Sequence, residues 1–469
     1  MSGLLLALTL SGCHDDQPAT VEATVRSTSD VPYRASGHDV IVIVLDTLRA
    51  DHLSQYGYAL DTSPGLKALA SHSTRFESAY APSPWTLPSS TSINTGQHPL
   101  RHGLRHPGDV LPESATTLAE RMRGAGWHTG GFSHNVNVNP RHGFAQGFDA
   151  FTHNTGKVNA YPNVHRMVTA ASTWLSEEGR GPSFVYLQPM NCHGPYKVPD
   201  SRETDLTGKR PSSGFRYYQG PMRDILSKHK LKARAKVNER YLRSLREQYD
   251  VAIRYETDEV GDFLDKLTAS SRFNDALVIL TADHGEELFD HGGFSHGYSL
   301  HHEVLRVPLF VKLPGQTEAR TVTDDVSLLD IVPTVLEVSG VGAAPGDTFD
   351  GRSLATLASG APDPGAAPRP LVFDVDWGKR VIGRGLTDGG WTLLQIDDNY
   401  EGLDHVTRLY NRSLDPLEQN DVSATDAAQV ATMTAELARL VAGLQGDAPP
   451  QNAMTDEDRK QLEALGYLE

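Results

Sequence analysis

The sequence predicts an α/β fold: a large, mostly parallel sheet sandwiched by helices, completed by a small α+β subdomain at the C-terminus. Three observations point to it. Continuous apolar, β-branched runs recur at wide intervals, and helical periodicity lies between them. A Gly/Pro/Ala-rich segment then separates these from a tail of short strand-like pieces. A length of 469 residues suits one large domain with a smaller companion.

Regular structure is expected from His38 onward. Asp39–Leu45 (DVIVIVL) reads as a strand buried on both faces, as in a parallel sheet. Ser183–Leu187, Ala276–Thr281 and Val307–Lys312 read the same way. Ala115–Ala125 is a helix stopped by Gly126, and Arg240–Leu267 is a long amphipathic helix. Lys228–Lys236 is expected as a solvated basic helix or loop. These elements make a domain over 38–342, and 343–370 is expected as a linker or surface loop. Residues 371–469 then supply strands at Pro370–Val375, Trp391–Ile396 and Thr407–Tyr410 and a helix over Ala427–Leu444.

The net charge of −16, with no large basic cluster to offset it, excludes nucleic acid as a partner. The same surface is a poor global attractor for anions, so an anionic substrate needs a local cation. Two cysteines, Cys13 and Cys192, exclude a disulfide framework. Cys192 is expected to be a buried structural thiol. Cys13 closes an apolar run, Leu4–Leu10 followed by Ser-Gly-Cys, that resembles a bacterial lipoprotein signal, although no Lys or Arg precedes it. On that reading 1–13 is the signal with Cys13 lipidated, and 14–37 is a flexible polar tether. The protein is then held at a bacterial cell envelope, periplasmic or at the cell surface, touching membrane only through the lipid.

Two acidic positions follow buried strands. Asp46 ends the first run, where it could cap a helix or bind a metal. Asp283-His284-Gly285 follows the third, offering adjacent oxygen and nitrogen ligands beside a tight turn. Ligands collect at the carboxyl ends of strands in open α/β sheets, and two such carboxylates favour one shared divalent ion (Ca, Mg, Mn or Zn).

The segment Ala81–Gly96 makes a family resemblance specific. Thr86, Pro88, Ser89, Thr95 and Gly96 fall on the spacing of the sulfatase signature, with Thr-Gly nine and ten residues after the first position. Asp46 and the Asp283-His284 pair resemble the family's metal ligands, and His193-Gly-Pro-Tyr196 its His-x-Pro-Tyr element. His296, thirteen residues after Asp283, falls where many members place a substrate-binding Lys. Leu409–Glu418 and Gln461–Leu468 resemble the ends of bacterial members. The resemblance implies the alkaline-phosphatase/sulfatase-like arrangement, a large mixed, mostly parallel sheet. It also implies a metal held by Asp46, Thr86, Asp283 and His284, catalysis by Thr86, His193 and His296, and substrate contacts from Ser90, His134, Asn135, His193 and His296.

The sequence departs from that pattern where chemistry is decided. Thr86 stands where sulfatases mature a Cys or Ser to formylglycine, so no formylglycine is expected. Ser90 replaces the bracing Arg, His134 a Lys, and Thr47 a second acidic ligand. A sulfated threonine cannot expel sulfate by breaking its own C–O bond, whereas phosphorus tolerates direct attack by water. Superfamily members that use Thr transfer phosphoryl groups. The expected activity is therefore metal-dependent hydrolysis of phosphate or phosphonate esters, on a small or glycan- or lipid-linked substrate. A sulfatase using unmodified Thr86, a phosphoryl-group transferase and a non-catalytic anionic-glycan binder are the alternatives. Unperturbed imidazoles near pKa 6.5 are expected to protonate the leaving alcohol. Histidines 98, 102, 106, 301 and 302 are expected at the surface or in support, with Arg101 and His102 bracing the loop, and Trp85 and Trp127 in the core.

Overall fold

The computed structural model describes residues 21–22, 37–153, 163–177, 181–212, 215, 219, 222, 237–343, 346–361, 368–376, 381–398, 403–446, 448–452, 455–456 and 459–460. Cys13, the basic stretch Lys228–Lys236 and the tail Gln461–Leu468 lie outside these.

The main sheet contains β1 (Val21–Glu22), β2 (Val40–Val44), β3 (Thr74–Tyr80), β4 (His128–Ser133), β5 (Ala150–His153), β6 (Ser183–Gln188), β7 (Leu277–Thr281), β10 (Arg306–Lys312) and β11 (Arg320–Ser327). A short hairpin, β8 (Glu287–Leu288) with β9 (Phe294–Ser295), lies outside it. Strand order is β1-β5-β4-β6-β2-β7-β10-β3-β11. β5, β4, β6, β2 and β7 are mutually parallel. β10 runs against both its neighbours, β7 and β3. The four apolar runs visible in the sequence are β6, β2, β7 and β10, the adjacent strands at the centre. Every residue of β2 and β7 is buried, which is why their sequences do not alternate. Full burial of each such Val, Ile or Leu is worth about 1.5–3 kcal/mol.

The flanking strands are less apolar, each for a local reason. In β4 (HTGGFS) a Cβ on Gly130 would lie 2.9 Å from the Trp174 ring, and one on Gly131 would lie 2.4 Å from Phe151. The aromatic rings take the volume that side chains would fill, so the strand shows no apolar run. β11 (RTVTDDVS) is an edge strand whose charges protect an open side.

The helices match their sequence signals closely. One spans Leu118–Gly124 behind a capping box of Thr117 and Glu120. The long helix spans Glu239–Ala269, N-capped by Asn238. The segment expected as a linker packs more than that word implies: it carries a helix, Ala355–Ser359, and buries Leu354 and Ala358 in the main core. Within it Asp350 receives Arg101 at 2.8 Å.

The C-terminal subdomain is an antiparallel meander, β12 (Leu371–Asp376), β13 (Val381–Asp388), β14 (Trp391–Asp398) and β15 (Leu403–Asn411). Its two faces serve different partners. Leu386, Leu393 and Leu409 pack on Met433, Leu437 and Val441 of the helix Ala427–Gly443. Phe373, Val375, Leu394 and Ile396 pack on Tyr80, Leu300, Val304 and Leu305 of the main domain.

Buried charge joins the two parts. The His291 ring stacks flat on His301, centroids 3.6 Å apart, and its Nδ1 lies 2.7 Å from Glu303. Its Nε2 lies 2.8 Å from the carbonyl of Glu418, whose carboxylate accepts the His302 N–H at 3.0 Å. Burial works against a charged His291, but the bond to Glu303 outweighs it and raises the ring to about 9. Burial, reinforced by Glu303, raises Glu287 to about 8.

The sign of the pH dependence follows. His291 titrates higher folded than unfolded, so its contribution is complete below pH 6.5 and is lost as pH rises through 9. Ionisation of Glu287 acts in the same direction. Thermal unfolding should therefore show stability falling from pH 7 to 9.5. His291→Gln should cost roughly 1–3 kcal/mol at pH 6 and flatten that slope. An unchanged slope in the variant would remove His291 from the account.

Candidate metal and nucleophile site

The site lies at the carboxyl rim of the parallel strands. Asp46 follows β2, Asp283 and His284 follow β7, His134 and Asn135 follow β4, and Gln188 ends β6. Thr86 comes from elsewhere: it is the first residue of the helix Thr86–Thr95, whose preceding residue, Trp85, offers no side-chain cap. The positive end of that helix therefore faces the rim. All ten residues of the helix are buried, and two of its hydroxyls bond back to its own carbonyls: Thr91 to Leu87 at 2.7 Å and Thr95 to Thr91 at 2.8 Å. Ser89 donates to the carbonyl of Asp283 at 2.6 Å, tying this helix to the β7 loop.

Among the described residues, Asp46, Asp283 and His284 are the one group of His, Cys, Asp or Glu side chains that could share an ion. Their donor atoms lie within 4.8 Å of one another. All three, and Thr86, are fully buried. His284 Nδ1 lies 2.9 Å from the carbonyl of Gly285, which makes it the donor and leaves Nε2 with its lone pair. That Nε2 is 3.2 Å from Thr86 Oγ1, 3.6 Å from Asp283 Oδ2 and 3.9 Å from Asp46 Oδ1. Burial lowers His284 to about 3, against the pull of Asp283. Burial, then the neighbouring Asp283, raises Asp46 well above the usual carboxylate range.

Asp46 caps no helix. The next residue, Thr47, takes a left-handed backbone with φ of +60°, uncommon for a β-branched side chain. That turn aims its N–H at Asp283 Oδ1, 3.3 Å away, while its carbonyl accepts the Tyr249 hydroxyl at 2.6 Å. Arg49, directly below, is consumed by Asp51, Asp290 and the carbonyl of Glu286.

The other expected residues fall in different places. Asn135 bridges the site: its Nδ2 donates to Asp46 Oδ2 and lies 3.4 Å from Thr86 Oγ1. Its Oδ1 accepts the Asn137 N–H at 2.7 Å, which fixes the amide. Ser90 sits one turn along the helix from Thr86, paired with Gln188 at 3.0 Å. His134 is buried, and its Nδ1 has no hydrogen-bond partner among the described residues. His284, His296 and His193 form a row of rings, with centroids 4.4 and 4.9 Å apart. His296 Nδ1 lies 3.2 Å from Glu286, and His193 Nδ1 lies 2.7 Å from the carbonyl of Gly194.

One expectation fails. These imidazoles are not near 6.5: burial lowers His296 to about 3, and burial with the neighbouring His296 lowers His193 to about 4. Both are neutral in the substrate-free site. Histidines 98, 102, 301 and 302 are buried rather than superficial. His102 meets Ser92 at 3.2 Å, on the helix that begins at Thr86. Cys192 is buried, and its N–H donates to Glu256. Trp85 and Trp127 are core residues.

Sequence reasoning missed Gln188, Glu286 and Glu256. Burial raises both glutamates to about 7. Glu286 stands inside the Asp-His-Gly-Glu run, and Gln188 is a polar residue closing an apolar strand, so each carried a signal.

The family profile described as Sulfatase matches residues 38–341. The chain is 24% identical over 451 residues to the choline-sulfatase of Rhizobium meliloti (strain 1021), covering 85% of each. It is 25% identical over 394 residues to an ulvan-active sulfatase of Formosa agariphila, covering 79% of this chain and 73% of that one. Among solved structures, the phosphonate monoester hydrolase of Agrobacterium radiobacter superposes with a TM-score of 0.69 at 19% identity, covering 87% of this chain and 95% of that one. A mixed, mostly parallel sheet with its antiparallel C-terminal meander, a hydroxyl-bearing helix end and a rim of two aspartates and a histidine thus find one explanation: the chain belongs to the sulfatase family of ester hydrolases within the alkaline-phosphatase superfamily.

Proposed function

We propose that this enzyme hydrolyses phosphate or phosphonate esters, with Thr86 as the attacking group beside one divalent ion. The observation that carries the reading is the placement of Thr86 Oγ1, at a helix N-terminus and 3.2 Å from His284 Nε2, within the Asp46, Asp283 and His284 group. The residues fit a cation. Asp46 Oδ1 is buried with no hydrogen-bond partner among the described residues, and a second buried carboxylate stands beside it. Such a pair is costly without positive charge. Asp46, Asp283, His284 and Thr86 would hold the ion. A bound divalent ion supplies charge that eases loss of the threonine proton and offsets the negative charge that builds at phosphorus.

The chain's own residues do the rest. The helix N-terminus favours an anionic ester next to Thr86. Asn135, with Nδ2 3.4 Å from the hydroxyl oxygen and bonded to Asp46, holds the two groups side by side. His296, held at Nδ1 by Glu286, is placed to pass a proton to the leaving alcohol, and an approaching anion raises its affinity for that proton. Water then attacks phosphorus and breaks the Oγ1–P bond, so that phosphate or phosphonate leaves and a proton from the water restores the Thr86 hydroxyl.

Sulfate-ester hydrolysis through the same threonine is the second reading, favoured by the sulfatases among the relatives. The unmodified hydroxyl argues for phosphorus. We further propose that the enzyme acts at a cell envelope, tethered through Cys13, on envelope-linked glycan or lipid esters or on small ones.

Thr86→Ala should lower turnover of a p-nitrophenyl phosphonate or phosphate ester by at least about 10²-fold, as loss of a catalytic group does. Intact mass after mixing with substrate should show an adduct on Thr86. Unchanged turnover in the variant, or faster release from p-nitrophenyl sulfate in the parent, would overturn the assignment. Asp46→Asn should be no less stable than the parent without metal, because it removes one of two crowded carboxylates. It should also gain no unfolding temperature from manganese or zinc, where the parent does. A variant stabilised by metal as strongly as the parent would take Asp46 out of the site.

A further inference from the structure

The metal-ligand candidate Asp283 is gripped by neutral donors. Its Oδ1 accepts the N–H groups of Thr47 at 3.3 Å and His284 at 3.0 Å. Its Oδ2 accepts Gln188 Nε2 at 3.2 Å, the one side-chain hydrogen-bond donor to that oxygen among the described residues. Gln188 closes β6 and is fully buried. Its own carbonyl accepts the His134 N–H at 3.1 Å, and the carbonyl of Pro189 accepts the Asp46 N–H at 3.2 Å. The residue therefore stands where the ends of three strands meet.

The orientation of its amide is fixed from both sides. The Tyr186 hydroxyl donates to Oε1 at 2.6 Å. Turning the amide over would set Oε1 against the carboxylate of Asp283, two acceptors in contact. Tyr186 and Asp283 thus demand the same orientation. Ser90 adds a third contact, its hydroxyl 3.0 Å from Nε2.

We propose that Gln188 is a positioning residue for Asp283, locked by Tyr186, and that this uncharged relay sets the site's grip on its ion. The proposal rests on the metal reading of the site given above. The relay orients Asp283 without neutralising it, because no cation takes part. The carboxylate keeps its full charge for the ion. A lysine or arginine in place of Gln188 would orient it too, but would compete with the metal for that charge.

Chelator-treated full-length protein is titrated with manganese alone by calorimetry, beside thermal unfolding of the same metal-free samples. Gln188→Met keeps the volume and removes the donor. It should weaken manganese binding by roughly 10–100-fold, the usual cost of losing a group that orients a ligand, with little change in metal-free unfolding temperature. Tyr186→Phe keeps the packing and frees the amide, and should weaken binding by roughly 3–10-fold. In the double variant the tyrosine change should add nothing, since it acts only through Gln188. Parent-like affinity in Gln188→Met would overturn the relay while leaving the metal reading intact. Additive losses would likewise overturn it. A parent protein that binds no manganese or other divalent ion would overturn the metal reading, and the relay with it. If Gln188→Met does not fold, Tyr186→Phe decides alone: parent-like affinity there rejects the relay.

Discussion

Two buried carboxylates, Asp46 and Asp283, are forced together at the rim of a parallel sheet, and most of the surrounding architecture manages that repulsion. Neighbouring parallel strands end at the same level, so residues placed just after β2 and β7 must meet. The structure spends its donors accordingly. Asn135 serves Asp46, while Thr47, His284 and Gln188 serve Asp283. The left-handed turn at Thr47 is one result, since it is what directs that N–H at the carboxylate. A conformation of this kind costs of order 1–3 kcal/mol and persists only where its surroundings insist on it.

What the sequence made legible was what burial makes repetitive. β2, β6, β7 and β10 announced themselves because both their faces are covered, and the four residues expected around the ion lie just beyond such strands or on the signature helix. β3, β4 and β11 were hidden for physical reasons. The aromatic partners of β4 come from distant sequence, Trp174 and Phe151, and a strand that borrows its apolar volume cannot display it. β13 (VIGRGLTD) was hidden the same way, with Leu394 and Phe373 lying over its Gly385.

The acid–base expectations failed for a related reason. An imidazole's ordinary affinity for protons assumes water around it, and a motif does not say how deeply it lies. His193 and His296 sit in a row of rings with almost no solvent, so the neutral form prevails. Residue identity was legible and its environment was not. Gln188 shows the converse: its environment gives it a role that its identity alone does not suggest.

The stacked His291 and His301, with Glu303 and Glu418, have a consequence for how the chain can be divided. His296 is carried between His291 and His302, and both ends of that stretch are fastened to Glu418, far along in the C-terminal quarter. A shortened protein ending before β12 would keep every candidate ligand yet leave this stretch without its anchor and bare the apolar face around Tyr80 and Leu305. The meander and the segment after it are therefore better regarded as a support of the main domain than as an appended module, and evolutionary or engineered exchange of that part would have to carry the glutamate with it.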